Sequence, residues 1–243
     1  MRLLSRTFPI LLLLTAAIPV TSCHRLWPVT VDGDGNVSTE ERQSSAFNGI
    51  DLEGSYDVTL TQAETTSIRI ETDKNLLPHI KTEIKHGKLV VSSDWNLNPS
   101  GRIKLYISSP NFQSIDIEGL ADVRSTTPIK SDDLNLNLEG AGSFDLEIHV
   151  QHLKTDVAGS GKITLRGDAL THTIDIEGSG DLDAASMPVE SAKIDIAGSG
   201  DAKVFVAKHL DASIEGSGTI RYKGSVNDVH SSVDGSGKIE KME

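Results

Sequence analysis

Serines and lysines set among glycines are the residues that most invite a chemical reading. Gly159-Ser160-Gly161-Lys162 and Gly235-Ser236-Gly237-Lys238 imitate the end of a phosphate-binding loop. Such a loop needs an earlier glycine, a hydroxyl after the lysine and a helix N-terminus behind it. The earlier position holds Asp156 or Ser232, isoleucine follows each lysine, and no helical pattern comes next. A nucleophile elbow is missing too, since no His or Asp recurs at a matching place around the serines. His149 and His152 lie three apart in a segment that reads as strand and turn, which puts them on opposite faces and not around one metal. Asp32-Gly33-Asp34-Gly35-Asn36 resembles a calcium loop, yet Val37 stands where the sixth-position glycine belongs and Gln43 where the closing glutamate belongs.

An acidic position before each glycine pair is more regular: Glu118, Glu139, Ala158, Glu177, Ala197, Glu215 and Asp234. If the repeats stack, these side chains share a column in which like charges repel, relieved by the alanines around Glu177. The column reads as a solvated ridge. The metal candidates within it are Ca2+ pairs at Glu118 with Glu139 and at Glu215 with Asp234. No cofactor is implied.

The elements that must carry these residues are set by a repeat beginning near Gln113. Gly119-Leu120-Ala121 and Gly140-Ala141-Gly142 are followed by Gly-Ser-Gly at Gly159/Gly161, Gly178/Gly180, Gly198/Gly200, Gly216/Gly218 and Gly235/Gly237. Successive first glycines lie 21, 19, 19, 20, 18 and 19 residues apart. Alternating apolar strands precede each one, such as Leu134-Leu136-Leu138 and Ala192-Ile194-Ile196. One inward residue follows each, among them Phe144, Ile163 and Leu182. Both glycines of a pair are expected to make the corner, where a sharp turn calls for positive φ or for backbones too close to admit a Cβ. A strand, a glycine corner, a second strand and a return use about 20 residues, which suits one coil of a parallel β-helix. The expected fold is therefore all-β, a right-handed parallel β-helix solenoid with Gly-Ser-Gly corners over residues 113–243.

Before the repeat, residues 46–112 alternate with period 2 and are expected to form a cap or irregular first coils. His86-Gly87 and Pro99-Ser100-Gly101 read as hairpin turns. Asp73 reads as the N-cap of a single helical turn. Gly54-Ser55-Tyr56 reads as a degenerate corner about three coils before Gly119. The charged run Lys238-Ile239-Glu240-Lys241 is expected to discourage end-to-end stacking.

The N-terminus has Arg2 and Arg6, an apolar run from Phe8 to Val20, then Val20-Thr21-Ser22-Cys23. This is the layout of an export signal over residues 1–22, too short and too broken by proline to span a bilayer. Its ending resembles the bacterial lipobox, which implies lipidation of Cys23, the chain's single cysteine. Residues 23–45 lack apolar periodicity and are expected to be a flexible tether. Losing the two leader arginines takes the formal charge from −12 to −14. With no basic cluster, nucleic acid is excluded as a partner.

Phe47-Asn48-Gly49-Ile50 with its strand pairs, Gly87-Lys88-Leu89, and the Gly-Ser-Gly run resemble the head GIN domain family of auto-transporter adhesins. That resemblance implies a pectin-lyase-like β-helix without recognised catalytic residues, often on lipoproteins. The expected function is a non-catalytic, lipid-anchored surface of the cell envelope, in the outer membrane, that serves adhesion to a surface glycan or another envelope protein. A periplasmic structural or envelope-stress component ranks second. A polysaccharide lyase or hydrolase ranks third, because aromatics are 4% of residues and Arg124, Arg166 and Arg221 stand alone.

Overall fold

A computed structural model describes residues 30–242. The export signal and Cys23 lie outside the described residues. In chain order the first strands are β1 (Thr30–Asp32), β2 (Val37–Arg42), β3 (Gly49–Gly54), β4 (Asp57–Gln62), β5 (Ser67–Asp73), β6 (Ile80–Lys85), β7 (Lys88–Ser93), β8 (Asn96–Asn98) and β9 (Lys104–Ser109). They are followed by β10 (Ser114–Gly119), β11 (Asp122–Ser125), β12 (Ile129–Gly140), β13 (Ser143–Gly159) and β14 (Lys162–Gly178). The last are β15 (Asp181–Gly198), β16 (Asp201–Gly216), β17 (Thr219–Lys223), β18 (Asp228–Gly235) and β19 (Lys238–Lys241).

Apart from β5, β6 and β8, the strands from β3 to β19 wind into a β-solenoid whose coils pair in parallel. The first glycines of the corners fall in register, Gly54 on Gly119, Gly119 on Gly140, and so on to Gly216 on Gly235. Alternation along each strand then sends one set of side chains inward, coil after coil. One interior column runs Leu52, Ile117, Leu138, Val157, Ile176, Ile196, Ile214. Another on the facing wall runs Val58, Val123, Phe144, Ile163, Leu182, Ala202, Ile220. All of these are buried. No single coil could shield them, so burial is shared between neighbours.

Two constraints fix the first glycine of each corner. It turns the chain with positive φ, +112° at Gly178 and +131° at Gly198, a region costly for residues with a Cβ. Its space is also already taken: a Cβ on Gly198 would lie 2.4 Å from the Gly178 carbonyl oxygen. That oxygen accepts the Ser199 amide at 2.8 Å, one rung of a hydrogen-bonded column that continues from Ser217 to Gly198 at 2.8 Å. The serine side chains point to solvent and are exposed at Ser179 and Ser199.

The second glycine meets the other of the two reasons expected at the corners, close approach without positive φ. Gly180 and Gly200 are not among the glycines with positive φ, so they do not need glycine to turn the chain. Both are buried, and space alone excludes a side chain there. A Cβ on Gly180 would lie 2.7 Å from Val157 Cγ1. On Gly200 it would lie 2.7 Å from both the Gly180 carbonyl oxygen and Ile176 Cγ2. Gly161, Gly218 and Gly237 follow the same rule, each crowded by an inward side chain and by the carbonyl of the coil before. The first glycine therefore sets the turn, and the second lets the wall of the next strand close onto the core.

Several expectations change at the N-terminal end. Gly54 lies one coil from Gly119, not three, because residues 63–113 leave the solenoid and return. During that excursion β7 stacks parallel on β3 and β9 on β4; β6 then turns antiparallel onto β7 and β5 onto β9. Residues 46–112 thus hold both a regular first coil and a cap. His86-Gly87 is a hairpin turn with φ of +51° and +80°, joining β6 to β7. Pro99-Ser100-Gly101 is not a hairpin turn: it joins β8, which pairs with β1, to β9.

The expected tether is folded over residues 30–42, since β1 pairs with β8 and β2 with β5. Its polarity misled because these are short edge strands without a buried face. What holds them is Asp73, which caps no helix. The only helical turn described, Leu77–His79, has Leu76 at its N-cap without a side-chain bond. The Asp73 carboxylate instead accepts from the Gly35 amide (2.9 Å), the Ser100 amide (2.7 Å) and the Ser100 hydroxyl (2.7 Å). Those bonds hold its pKa below the usual range, the Ser100 hydroxyl contributing most.

Substitution of a first-position glycine tests this account. Gly178→Val or Gly198→Val is expected to cost at least about 2 kcal/mol by urea unfolding, from strain and overlap together. Ser179→Ala should stay within about 0.5 kcal/mol of the parent.

Candidate functional site

A wide recess lies where the excursion meets the first two corners. The segment from Ser93 through β8 to Ile103 swings outside the coils, pinned by β8 to β1, and leaves a groove of about 610 Å³ against the corners at Gly54 and Gly119. Trp95, Arg102 and Leu120 line it with the carboxylates Glu53 and Glu118. Trp95 is 39% exposed and is steadied edge-on by His79, with ring centroids 5.6 Å apart. Arg102 donates to Asp122 at 2.6 Å. Leu120, at 55% exposed, occupies the place that serine takes in later corners. The departure of Gly119-Leu120-Ala121 from the repeat leaves the turn intact, with Gly119 at φ +129°, and changes what the corner shows to solvent.

Glu53 and Glu118 head the acidic column anticipated from the repeat. The register stacks Glu53 on Glu118, Glu118 on Glu139, and Glu215 on Asp234, with Ala158 and Ala197 flanking Glu177. The Glu118 pKa is raised, first by burial and then by Asp51 and Glu53. Among the described residues no group of three or more His, Cys, Asp or Glu side chains is placed to hold a metal. The candidate calcium positions are stacked neighbours, Glu118 with Glu139 and Glu215 with Asp234. His149 and His152 both turn outward and not to opposite faces, because the alternation breaks at Gln151; His149 lies beside Asp168 and His152 beside Thr171.

A second column escaped the sequence reading. Asp51, Asp116, Asn137, Asp156, Asp175 and Asp195 stack two positions before the corner glycines' acidic neighbours. The signal was present, since Ile-Asp-Ile-Glu-Gly occurs at 115–119 and again at 174–178. Lysines offset part of the charge: Lys88 on Asp116 at 2.6 Å, Lys154 on Asp156 at 2.7 Å and Lys193 on Asp195 at 2.6 Å. Asp175 has no ion pair among the described residues, and its pKa is raised by burial and by Asp156. Trp95 was missed too; a single aromatic in a polar stretch has no period to reveal it.

The fold and the groove can be set against known proteins. The sequence profile of the family described as "Putative auto-transporter adhesin, head GIN domain" matches residues 46–226. The chain belongs to this family. Among crystal structures, its head GIN domain is similar to a putative adhesin from Bacteroides fragilis NCTC 9343, with 25% identity and a TM-score of 0.84 over 87% of this chain and 100% of that one. A putative adhesin from Parabacteroides merdae ATCC 43184 is 28% identical, with a TM-score of 0.68 over 88% of this chain and 100% of that one. A putative lipid binding protein from Parabacteroides distasonis ATCC 8503, 24% identical with a TM-score of 0.72 over 88% and 100%, shares the fold. No curated protein sequence matches the chain.

One ionisable group of the head GIN domain lies inside the coils. His172 is buried in the column between Leu153 and Ala192, and its Nε2 lies 2.9 Å from the Thr155 hydroxyl. Burial pushes its pKa down to about 3. The unfolded chain therefore takes up this proton first, and His172 withdraws stability as pH falls from about 6.5 toward about 3. The raised carboxylates act in the opposite sense, favouring the folded state in acid and losing that effect as pH rises through their pKa values. Relative to the parent, His172→Leu with Thr155→Val is expected to gain on the order of 3 kcal/mol between pH 7 and pH 4, read from urea midpoints.

Proposed function

We propose that this head GIN domain is a non-catalytic, lipid-anchored adhesion module of the cell envelope, and that the groove at Trp95 is its contact site for a surface glycan. The observation that carries the reading is the exposed indole beside Glu53, Glu118 and Arg102 in one groove. An indole face packs on the apolar face of a sugar ring, and carboxylates and guanidinium supply the directional bonds that hydroxyls require. The groove sits on a stacked, parallel-paired frame, so a ligand would meet groups already in place and would lose little affinity to ordering them.

Attachment rests on Cys23. A thiol acylated behind an export signal, with β1 and β2 following it in the chain, would hold the solenoid by its capped end, near the membrane. Outer-membrane placement follows the same reasoning, with His24 in place of aspartate after the cysteine. The acidic face favours a second kind of contact, a basic patch on another envelope protein, because lysines offset only part of its charge.

A glycan array followed by calorimetry on the best binder tests the groove. Trp95→Ala is expected to weaken binding about tenfold or more while leaving the melting temperature nearly unchanged. Failure of every glycan to bind, or binding indifferent to Trp95, would remove the glycan reading. For the anchor, metabolic labelling with a clickable palmitate analogue should mark the parent chain and not Cys23→Ser.

A further inference from the structure

Opposite the cap, the described residues end in β18 and β19. Among the described residues nothing pairs with the outer edges of β18 and β19. Val229 and Val233 close the interior columns there and remain 40% and 43% exposed, while Leu210 and Ile214 one coil below are buried. Ile239 likewise ends the column that holds Ile220.

The backbone fixes which groups this edge offers. Lys238 and Met242 donate their amides inward, to Gly218 at 3.0 Å and Tyr222 at 2.8 Å. Alternation then turns the amide and carbonyl of Ile239 outward. On the other wall Ser236 donates inward to Gly216 at 2.8 Å, which turns Val233 outward in the same way. Val233 stands three residues before Ser236 and Ile239 three residues after it. One straight line therefore crosses both walls at the two outward-facing residues, whose side chains both point into the core.

We propose that this edge binds a second copy of the chain, end to end, about a two-fold axis through Val233 and Ile239. In that register each strand meets its own copy antiparallel, and Ile239 and Val233 each face themselves across a hydrogen-bonded pair. On the outer surface Lys238 faces Glu240 of the second copy, and Glu240 faces its Lys238. Asp234 meets Ser232, so no like charges are opposed. Glu240 already accepts from Arg221 Nε at 2.8 Å, whereas Lys238 makes no ion pair among the described residues. The second copy gives it one and joins it to the Arg221–Glu240 pair across the junction. The run that reads in sequence as a barrier to stacking is complementary to itself once the partner is inverted. A head-to-tail stack has no such match, because the capped end finishes in β2 parallel to the coils on one wall and β6 antiparallel to them on the other.

Sedimentation equilibrium of the purified chain in density-matched detergent tests the contact. The parent should be dimeric at micromolar concentration. Lys238→Glu and Glu240→Lys should each weaken the dimer by about tenfold or more. Mixing these two variants should restore association as a heterodimer, and the doubly reversed chain should dimerise again. A monomer up to high micromolar concentration, or a dimer indifferent to both reversals, overturns the proposal. Trp95→Ala should leave the mass unchanged, which separates this contact from the glycan groove at the other end.

Discussion

Every coil of this domain depends on one close approach, in which the carbonyl oxygen of a corner glycine fills the space that a Cβ would take on the glycine above it. The contact is short because the coils are spaced by strand pairing and the chain turns within that spacing. It locks the coils in register, and register decides everything else. With the glycines aligned, isoleucine falls on isoleucine inside, and carboxylate falls on carboxylate outside. The apolar columns gain from that alignment and the acidic columns lose. Burial first, and then the neighbouring carboxylates of the columns, raise the pKa values of Asp51, Glu118 and Asp175.

The same register explains why the two ends differ. At one end the chain leaves the solenoid after β4 and spends the residues up to Gln113 on β7 and β9, which stack parallel on the first coil, and on β5 and β6, which pair antiparallel beyond them. At the other, β18 and β19 keep the parallel geometry to the last described turn. Asp73 is the hinge of the capped end: its carboxylate gathers amides from two loops and brings the otherwise polar segment at residues 30–42 onto the domain. The Trp95 groove is a by-product of that closure, formed where the returning segment passes beside corners that it does not join.

Much of the solenoid was legible because repetition averages over single residues. Six spacings near 19 residues, each with alternating apolar positions before a glycine, identify coils even where Ala141 or Leu120 replaces serine. Repetition did not separate the two glycines of a corner, since Gly178 and Gly180 recur equally often and only the backbone shows that one turns while the other makes room. The cap was less legible, since nothing local distinguishes Gly54 as the neighbour of Gly119 from Gly54 as a corner three coils away. That assignment depends on a pairing across 65 residues. The tether reading failed for a related reason, as edge strands such as β2 expose alternate residues and carry no apolar period. At the site, the glutamate column could be read from its place before the glycines. Trp95 could not, because only the path of the excursion brings it beside Glu53 and Glu118.

Because each interior coil touches only the coil above and the coil below, the solenoid has no preferred length. Both special places, the groove by the cap and the open edge at β18 and β19, lie at its ends. Inserting or deleting a coil near Gly178 would leave each of them intact and change only the distance between them. Evolution could therefore set the distance between the groove and the far edge by counting coils, in steps of about 4.8 Å, without redesigning either end.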